Sequence, residues 1–218
     1  MNVRKMLIPK SKYSIKAPYA MNPEFYVVHN TANDASASNE IAYMTRNDNK
    51  VSFHYAVDDR EVVQGIPENR NSWNAGDGGE GEGNRKGIAV EICYSKSGGP
   101  RFDKAEENAA QFIAQGLVEK GWGIDKVKKH QDFSGKYCPH RTLDKGWDRF
   151  IKMVESYMVP NGLKLIINGN QRLVSGHIEG GVSYVKVDNR NIPVRTLGEA
   201  LGFKVGWDNI NKAVIWND

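Results

Sequence analysis

Residues 130–140, HQDFSGKYCPH, set two imidazoles, a thiol and an ammonium in one short segment together with a glycine and a proline. Three readings are open to such a set. A catalytic zinc takes three protein ligands from imidazole, thiolate or carboxylate and keeps its fourth tetrahedral position for water. His130 and Cys138 could supply two of them, and His29, 101 positions earlier, the third. Alternatively, Cys138 is a nucleophile activated by His130 or His140. The third reading is chemically silent, because free cysteines often pack as small apolar groups and a strand histidine is commonly a hydrogen-bonded core residue. Glu91 adds an anomaly, a carboxylate inside the apolar run GIAVEICYS (87–95). One reading pairs it structurally with a lysine or arginine.

Several elements must position these groups. PEFYVVHNTA (23–32), an aromatic and β-branched run opening after a proline, predicts a buried strand with His29 near its end. SASNEIAYMTRN (36–47) has a capping serine, an acid in the first turn and apolar positions Ile41 and Met44 on one face, so a helix is expected. VSFHYAVDDREVVQGIP (51–67) alternates about a DDR turn, which predicts a hairpin carrying His54 in its first strand. NSWNAGDGGEGEGNRKG (71–87) is so rich in glycine, asparagine and charge that it reads as a long loop, and long loops are more often functional than decorative. GIAVEICYS then predicts a strand. DKAEENAAQFIAQGLVEK (103–120) reads as a helix capped by Asp103, and a last helix is expected over 145–158.

At VPNG (159–162) the pattern changes to short β runs, which predicts a domain boundary. The expected division is 1–158 and 161–218. Strands are predicted at 163–167, 172–178, 182–187, 203–207 and 213–216, with one helix over 193–201. The fold class that follows is α/β, a central mixed sheet flanked by helices, with a second, small α+β domain.

Composition narrows the function classes. With 218 residues, 39% hydrophobic and 26% charged, the chain is neither disordered nor membrane-like, and it is long enough for one sizeable core plus a smaller module. A net charge of +4 is spread thinly, so no segment reads as a nucleic-acid footprint. Two cysteines are too few for a disulfide framework and fit synthesis in a reducing compartment. The N-terminus has no apolar stretch suited to a signal sequence, and no run approaches the length of a membrane span, so neither export by a leader nor membrane insertion is expected.

In combination, VVHNTA at a strand end, SFHYAVDD in a hairpin, GIAVEI, and a histidine eight residues before Cys-Pro with a lysine between them resemble the zinc-dependent N-acetylmuramoyl-L-alanine amidases. The likeness runs in order over about residues 20–145 and is nearest to endolysins of Bacillus phages. It implies zinc bound by His29, His130 and Cys138. It also implies Glu91 as general base and then acid, and Lys136 as a stabiliser of the oxyanion. Asn30, His54, Trp73 and Asn74 are implied at or beside the substrate, with His54 substrate-facing or supporting a ligand. Phe53 stands where some phage relatives carry a catalytic tyrosine, so proton transfer falls more heavily on Glu91. Asn74 stands where many relatives have a histidine.

The tail NIPVRTLGEALGFKVGWDNINKAVIW resembles the small module related to the N-terminal domain of copper amine oxidases. No copper is expected in residues 161–218, because His177 is their only histidine and they have no cysteine. Attachment to a wall-degrading domain implies wall targeting, against a purely stabilising or dimerising role. The reading is therefore an endolysin acting on bacterial peptidoglycan, made in the host cytoplasm and released through a holin. The alternatives are a non-catalytic peptidoglycan-binding protein and a Cys-His peptidase acting on wall peptides.

Overall fold

The computed structural model describes residues 3–158, 163–174, 176–187, 190–208 and 213–218. The chain divides into two compact units, Met1–Val154 and Glu155–Asp218. The expected boundary at 159–162 lies outside the described residues.

The first unit is a six-stranded sheet in the order β1-β4-β3-β5-β2-β6. Its strands are β1 (Val3–Lys5), β2 (Phe25–Asn30), β3 (Tyr55–Val57), β4 (Val62–Gln64), β5 (Gly87–Ile92) and β6 (Val127–Lys129). Only β3 and β4 pair antiparallel, as the DDR turn requires, with Asp58 Oδ1 accepting from the backbone N–H of Arg60 and Glu61, both at 2.8 Å. Every other pair is parallel, which makes the sheet mixed. All six residues of β2 are buried, the mark of a central parallel strand covered on both faces.

Alternation assigns the two faces. Tyr26 and Tyr55 turn toward α4 (Gly99–Lys120), where both rings meet Phe112. Val27 and His29 turn the other way, toward α2 (Ala37–Arg46) and the segments α5 (Gln131–Ser134) and α6 (His140–Asp144). Phe25, on that same face, stacks on Phe133 of α5 at 5.5 Å. In α2, Ser36 caps the first turn by accepting from Asn39 N–H, and Ile41 and Met44 bury the inner face. Gly65 passes directly beneath these two; a Cβ there would lie 2.6 Å from Met44.

The differences from the sequence expectations have physical causes. The long helix begins at Gly99, one turn early, because Pro100 in its first turn needs no N–H partner. Asp103 therefore lies inside the helix and pairs with Lys145 at 2.7 Å instead of capping. The glycine-rich stretch is not all loop, since α3 (Glu82–Lys86) closes it. His54 precedes β3 and is not within it. The last helix, α7 (Trp147–Met158), starts two residues late because α6 and Gly146 intervene. β1, β6 and α1 (Tyr13–Lys16) carry no pattern of their own; VRK and VKK are too short and too polar to announce strands.

In the second unit, β7 (Leu163–Ile167), β8 (Asn170–Val174), β13 (Ala213–Asn217) and β12 (Lys204–Asp208) form one sheet. A second sheet holds β9 (Gly176–Glu179), β10 (Val182–Val187) and β11 (Arg190–Pro193), and α8 (Val194–Ala200) follows β11. The run expected as one strand over 172–178 is divided because Val174 pairs with Leu163 while Gly176 pairs with Val185. Leu163, Leu165, Val185, Val194, Val214 and Trp216 form its core. The side chain of His177 lies outside the described residues.

Candidate active site

His29 and Glu91 are register partners on the parallel strands β2 and β5. Side chains at paired positions leave the sheet on the same face, so the strand pairing alone sets this imidazole beside this carboxylate. β6 ends beside Val28, and the chain continues into His130, whose N–H donates to the Val28 carbonyl at 3.3 Å. The turn through α5 then returns, with Gln131 N–H donating to the Cys138 carbonyl at 3.0 Å. These connections bring the two halves of HQDFSGKYCPH to the end of β2.

Nδ1 of His29 lies 3.0 Å from Nδ1 of His130 and 3.9 Å from Sγ of Cys138, and the three donor atoms fall within 4.8 Å of one another. Donors around a tetrahedral zinc, at ~2.1 Å for nitrogen and ~2.3 Å for sulfur, stand ~3.3–3.6 Å apart. All three residues are buried.

Protonation suits the same purpose. The side-chain amide of Asn74 directs Nδ2 at three acceptors, Ser72 Oγ (2.9 Å), Gly83 O (3.3 Å) and Ser72 O (3.4 Å). Its Oδ1 therefore faces His29 Nε2 at 3.1 Å and can only accept, which places the ring proton on Nε2 and leaves Nδ1 bare. Burial, with His130 and Lys136 nearby, pushes the His29 pKa down to about 3, and burial lowers that of His130 too. Both rings are neutral at physiological pH, the form that binds metal. His130 is held by a hydrogen bond to the Ala75 backbone. The Cys138 thiol is pushed up to about 11, chiefly by burial and then by Glu91, while the backbone N–H groups of Asn30 and His140 favour its anion. A sulfur supplied with two amide donors but lacking a nearby cation strong enough to ionise it fits a metal ligand. Two imidazoles and one thiolate are a donor set that suits zinc.

Glu91 is half-buried, yet its Oε2 is out of solvent and has no hydrogen-bond partner among the described residues. Burial, and next the nearby Glu40 carboxylate, raise its pKa to about 8, against the pull of Lys136. Lys136 is exposed and lines a cavity of about 620 Å³ with His130, Trp73 and Asn74. A second cavity of about 640 Å³, walled by Glu91, Phe53 and α2, opens beside it.

Of the remaining expected residues, His54 and Asn30 are buried and Trp73 borders the cleft. His54 has no face open to substrate: it is wholly buried, its Nε2 donates to Arg70 O at 2.8 Å, and its Nδ1 accepts from Ala89 N–H at 2.9 Å. It is a core residue that reaches the site only through Ser72 (3.3 Å) and then Asn74. Asn30, expected at or beside the substrate, is buried at the end of β2. Its Oδ1 accepts from the N–H of Arg141 and Thr142, and its Nδ2 donates to the His29 carbonyl, so its capacity is spent holding α6 against β2. Trp73 lines the 620 Å³ cavity, with its indole N–H donating to Ile15 O at 2.9 Å. Sequence reasoning missed Asn84, whose Oδ1 accepts from Asn74 N–H (2.8 Å) and Ala75 N–H (2.9 Å) and whose Nδ2 donates to Gly78 O (2.9 Å). One more asparagine in a polar loop gives no signal of that bracing.

A mixed sheet that gathers three metal-type donors and a proton-holding carboxylate at its strand ends defines a site for hydrolytic chemistry. The chain belongs to the N-acetylmuramoyl-L-alanine amidase family, which it matches over residues 19–141. It is similar to the amidase XlyB of Bacillus subtilis (strain 168), 60% identical over 154 residues, covering 70% of this chain and 49% of that protein. It is also similar to the amidase CwlA of the same strain, 57% identical over 163 residues, covering 74% and 60%. The chain thus spans roughly half the length of these relatives. Among solved structures it resembles PlyL, with a TM-score of 0.70 and 54% identity over 72% of this chain and 99% of that one. The solution structure of the PlyG catalytic domain matches with a TM-score of 0.69 and 52% identity over 73% and 96%.

Proposed function

We propose that this chain hydrolyses the amide between the lactyl group of N-acetylmuramic acid and L-alanine in bacterial peptidoglycan, with zinc held by His29 Nδ1, His130 Nδ1 and Cys138 Sγ. The observation that carries the proposal is the convergence of these three donors beside Glu91, on the face that the β2–β5 register dictates. Zinc bound there supplies Lewis acidity toward water and a carbonyl oxygen.

The chain's own residues supply the rest. Glu91, with a pKa near neutrality and one carboxylate oxygen free of partners, takes the proton of the attacking water and returns it to the leaving amine nitrogen. Lys136 brings an ammonium into the cleft, where negative charge develops on the carbonyl oxygen. Asn74 holds His29 in the tautomer with Nδ1 bare, and Asn84 holds Asn74.

The peptidase alternative is disfavoured, because a thiol pushed up to about 11 is not an activated nucleophile and His140 turns its Nε2 to Ser95 O at 3.4 Å. The non-catalytic binding alternative is disfavoured by the intact donor set and the raised Glu91. No helix among the described residues is long and apolar enough to cross a membrane. We assign residues 161–218 to wall binding, following their attachment to a wall-degrading domain, and release of the protein to a holin, following the resemblance of the first part to phage endolysins.

Digestion of purified peptidoglycan tests the bond assignment. New L-alanine amino groups without new reducing sugar ends are expected; reducing ends alone would make the enzyme a glycosidase.

A further inference from the structure

The family match begins at residue 19, yet the segment just before it is tied into the cleft. Lys16, the last residue of α1, is completely buried. Its ammonium has three donors, and all three go to one loop: Asn47 Oδ1 at 2.7 Å, Asn49 O at 2.5 Å and Val51 O at 3.1 Å. The same short segment makes three further ties. Lys12 pairs with Asp48 at 2.5 Å, the Lys16 carbonyl accepts from Ser52 Oγ at 2.6 Å, and the Ile15 carbonyl accepts from the Trp73 indole at 2.9 Å. Ser52 Oγ in turn accepts from Trp73 N–H at 2.9 Å, so the ties to residues 47–52 and to Trp73 form one connected set.

The loop so held is the partition of the cleft. Val51, 63% exposed, borders both the cavity that contains Glu91 and the cavity that contains His130 and Lys136. Asn47 and Asn49 stand on the first side and Lys50 on the second. Resting on the amidase reading above, the substrate is a branched one: the scissile amide joins a glycan to a peptide, and two cavities on either side of a ridge offer each arm its own place.

We propose that Lys16 is a positioning residue for substrate, acting through the Val51 ridge. A buried ammonium fixes the ridge by saturating oxygens of the loop that follows α2, a loop anchored to that helix only at its first residue, Asn47. Removing it leaves those oxygens to be satisfied by water, and the ridge moves.

The test uses the zinc-loaded full chain, with binding of a soluble disaccharide–tetrapeptide fragment followed by calorimetry alongside its turnover. Lys16→Met is expected to raise Kd and KM together by about tenfold, with kcat and zinc content within about twofold, and Val51→Gly to move the same parameters in the same direction. A purely structural lysine would lower stability while leaving Kd and KM unchanged, and that result overturns the proposal. If Lys16→Met does not fold, Asn47→Ala and the exposed-site Val51→Gly decide it, and unchanged Kd in both overturns it. A wild-type chain that binds the fragment without cleaving it contradicts the amidase reading alone, since Kd still reports the ridge.

Discussion

Asn74 Oδ1 lies 3.1 Å from His29 Nε2, and this one contact determines which nitrogen of His29 is available to a metal. The amide cannot turn over, because its NH₂ faces two backbone carbonyls, Ser72 O and Gly83 O, which can only accept. Hydrogen-bonded partners behind a ligand typically contribute ~10–100-fold in metal affinity. Asn74→Ala is expected to weaken zinc by that order in competition with a chromophoric chelator, with the fold intact. Nitrogen NMR of the metal-free variant should show the Nε2–H tautomer of His29 no longer dominant.

Glu91→Gln should retain metal and lose turnover by ~10²–10⁴-fold, the range of a lost general acid–base group. The pH dependence of stability follows from the sign of the shift. Glu91 moves up, from an ordinary 4.5 to about 8, in the metal-free fold. Its contribution to stability is complete below the unfolded value and is lost as pH rises through about 8. The metal-free wild type should therefore lose melting temperature between pH 5 and pH 9 in excess of the Glu91→Gln variant, as followed by calorimetry. Parallel curves would mean that the carboxyl is solvated.

Cys138 should be a poor nucleophile without metal. With a thiol near 11 and ordinary thiols near 8.5, alkylation by iodoacetamide at pH 7.5 should run at least about tenfold slower than for free cysteine. Fast alkylation, with loss of activity that zinc does not protect against, would favour the cysteine-peptidase account.

Removal of residues 161–218 should weaken adsorption to intact walls more than turnover of soluble fragments. A second weak contact acts by raising local concentration and adds nothing to the chemistry. Sedimentation of the truncated and full chains with purified walls measures it, and equal adsorption would contradict the targeting role.

The sequence revealed individual elements better than their meeting points. The strand under His29, the helix capped by Ser36 and the hairpin around Asp58 were legible because each is set by local periodicity and turn chemistry. The pairing of His29 with Glu91 was not, since register between strands some sixty residues apart leaves no local trace. For His54 the sequence left two readings open, facing substrate or supporting a ligand, because a histidine bonded to two backbone groups looks, in sequence, like one that faces a substrate. Lys16 and Asn84 gave no warning, because a buried polar hub differs from a surface residue only in what surrounds it.

The central claim is that His29, His130 and Cys138 hold one zinc on which hydrolysis depends. Metal content and wall-clearing rate, measured together through chelation and stepwise return of zinc, test it most directly. The account predicts that activity falls to background in the stripped protein and returns in proportion up to one zinc per chain, with no such return in Cys138→Ala. Full activity in protein carrying less than about a tenth of an equivalent of metal would contradict it.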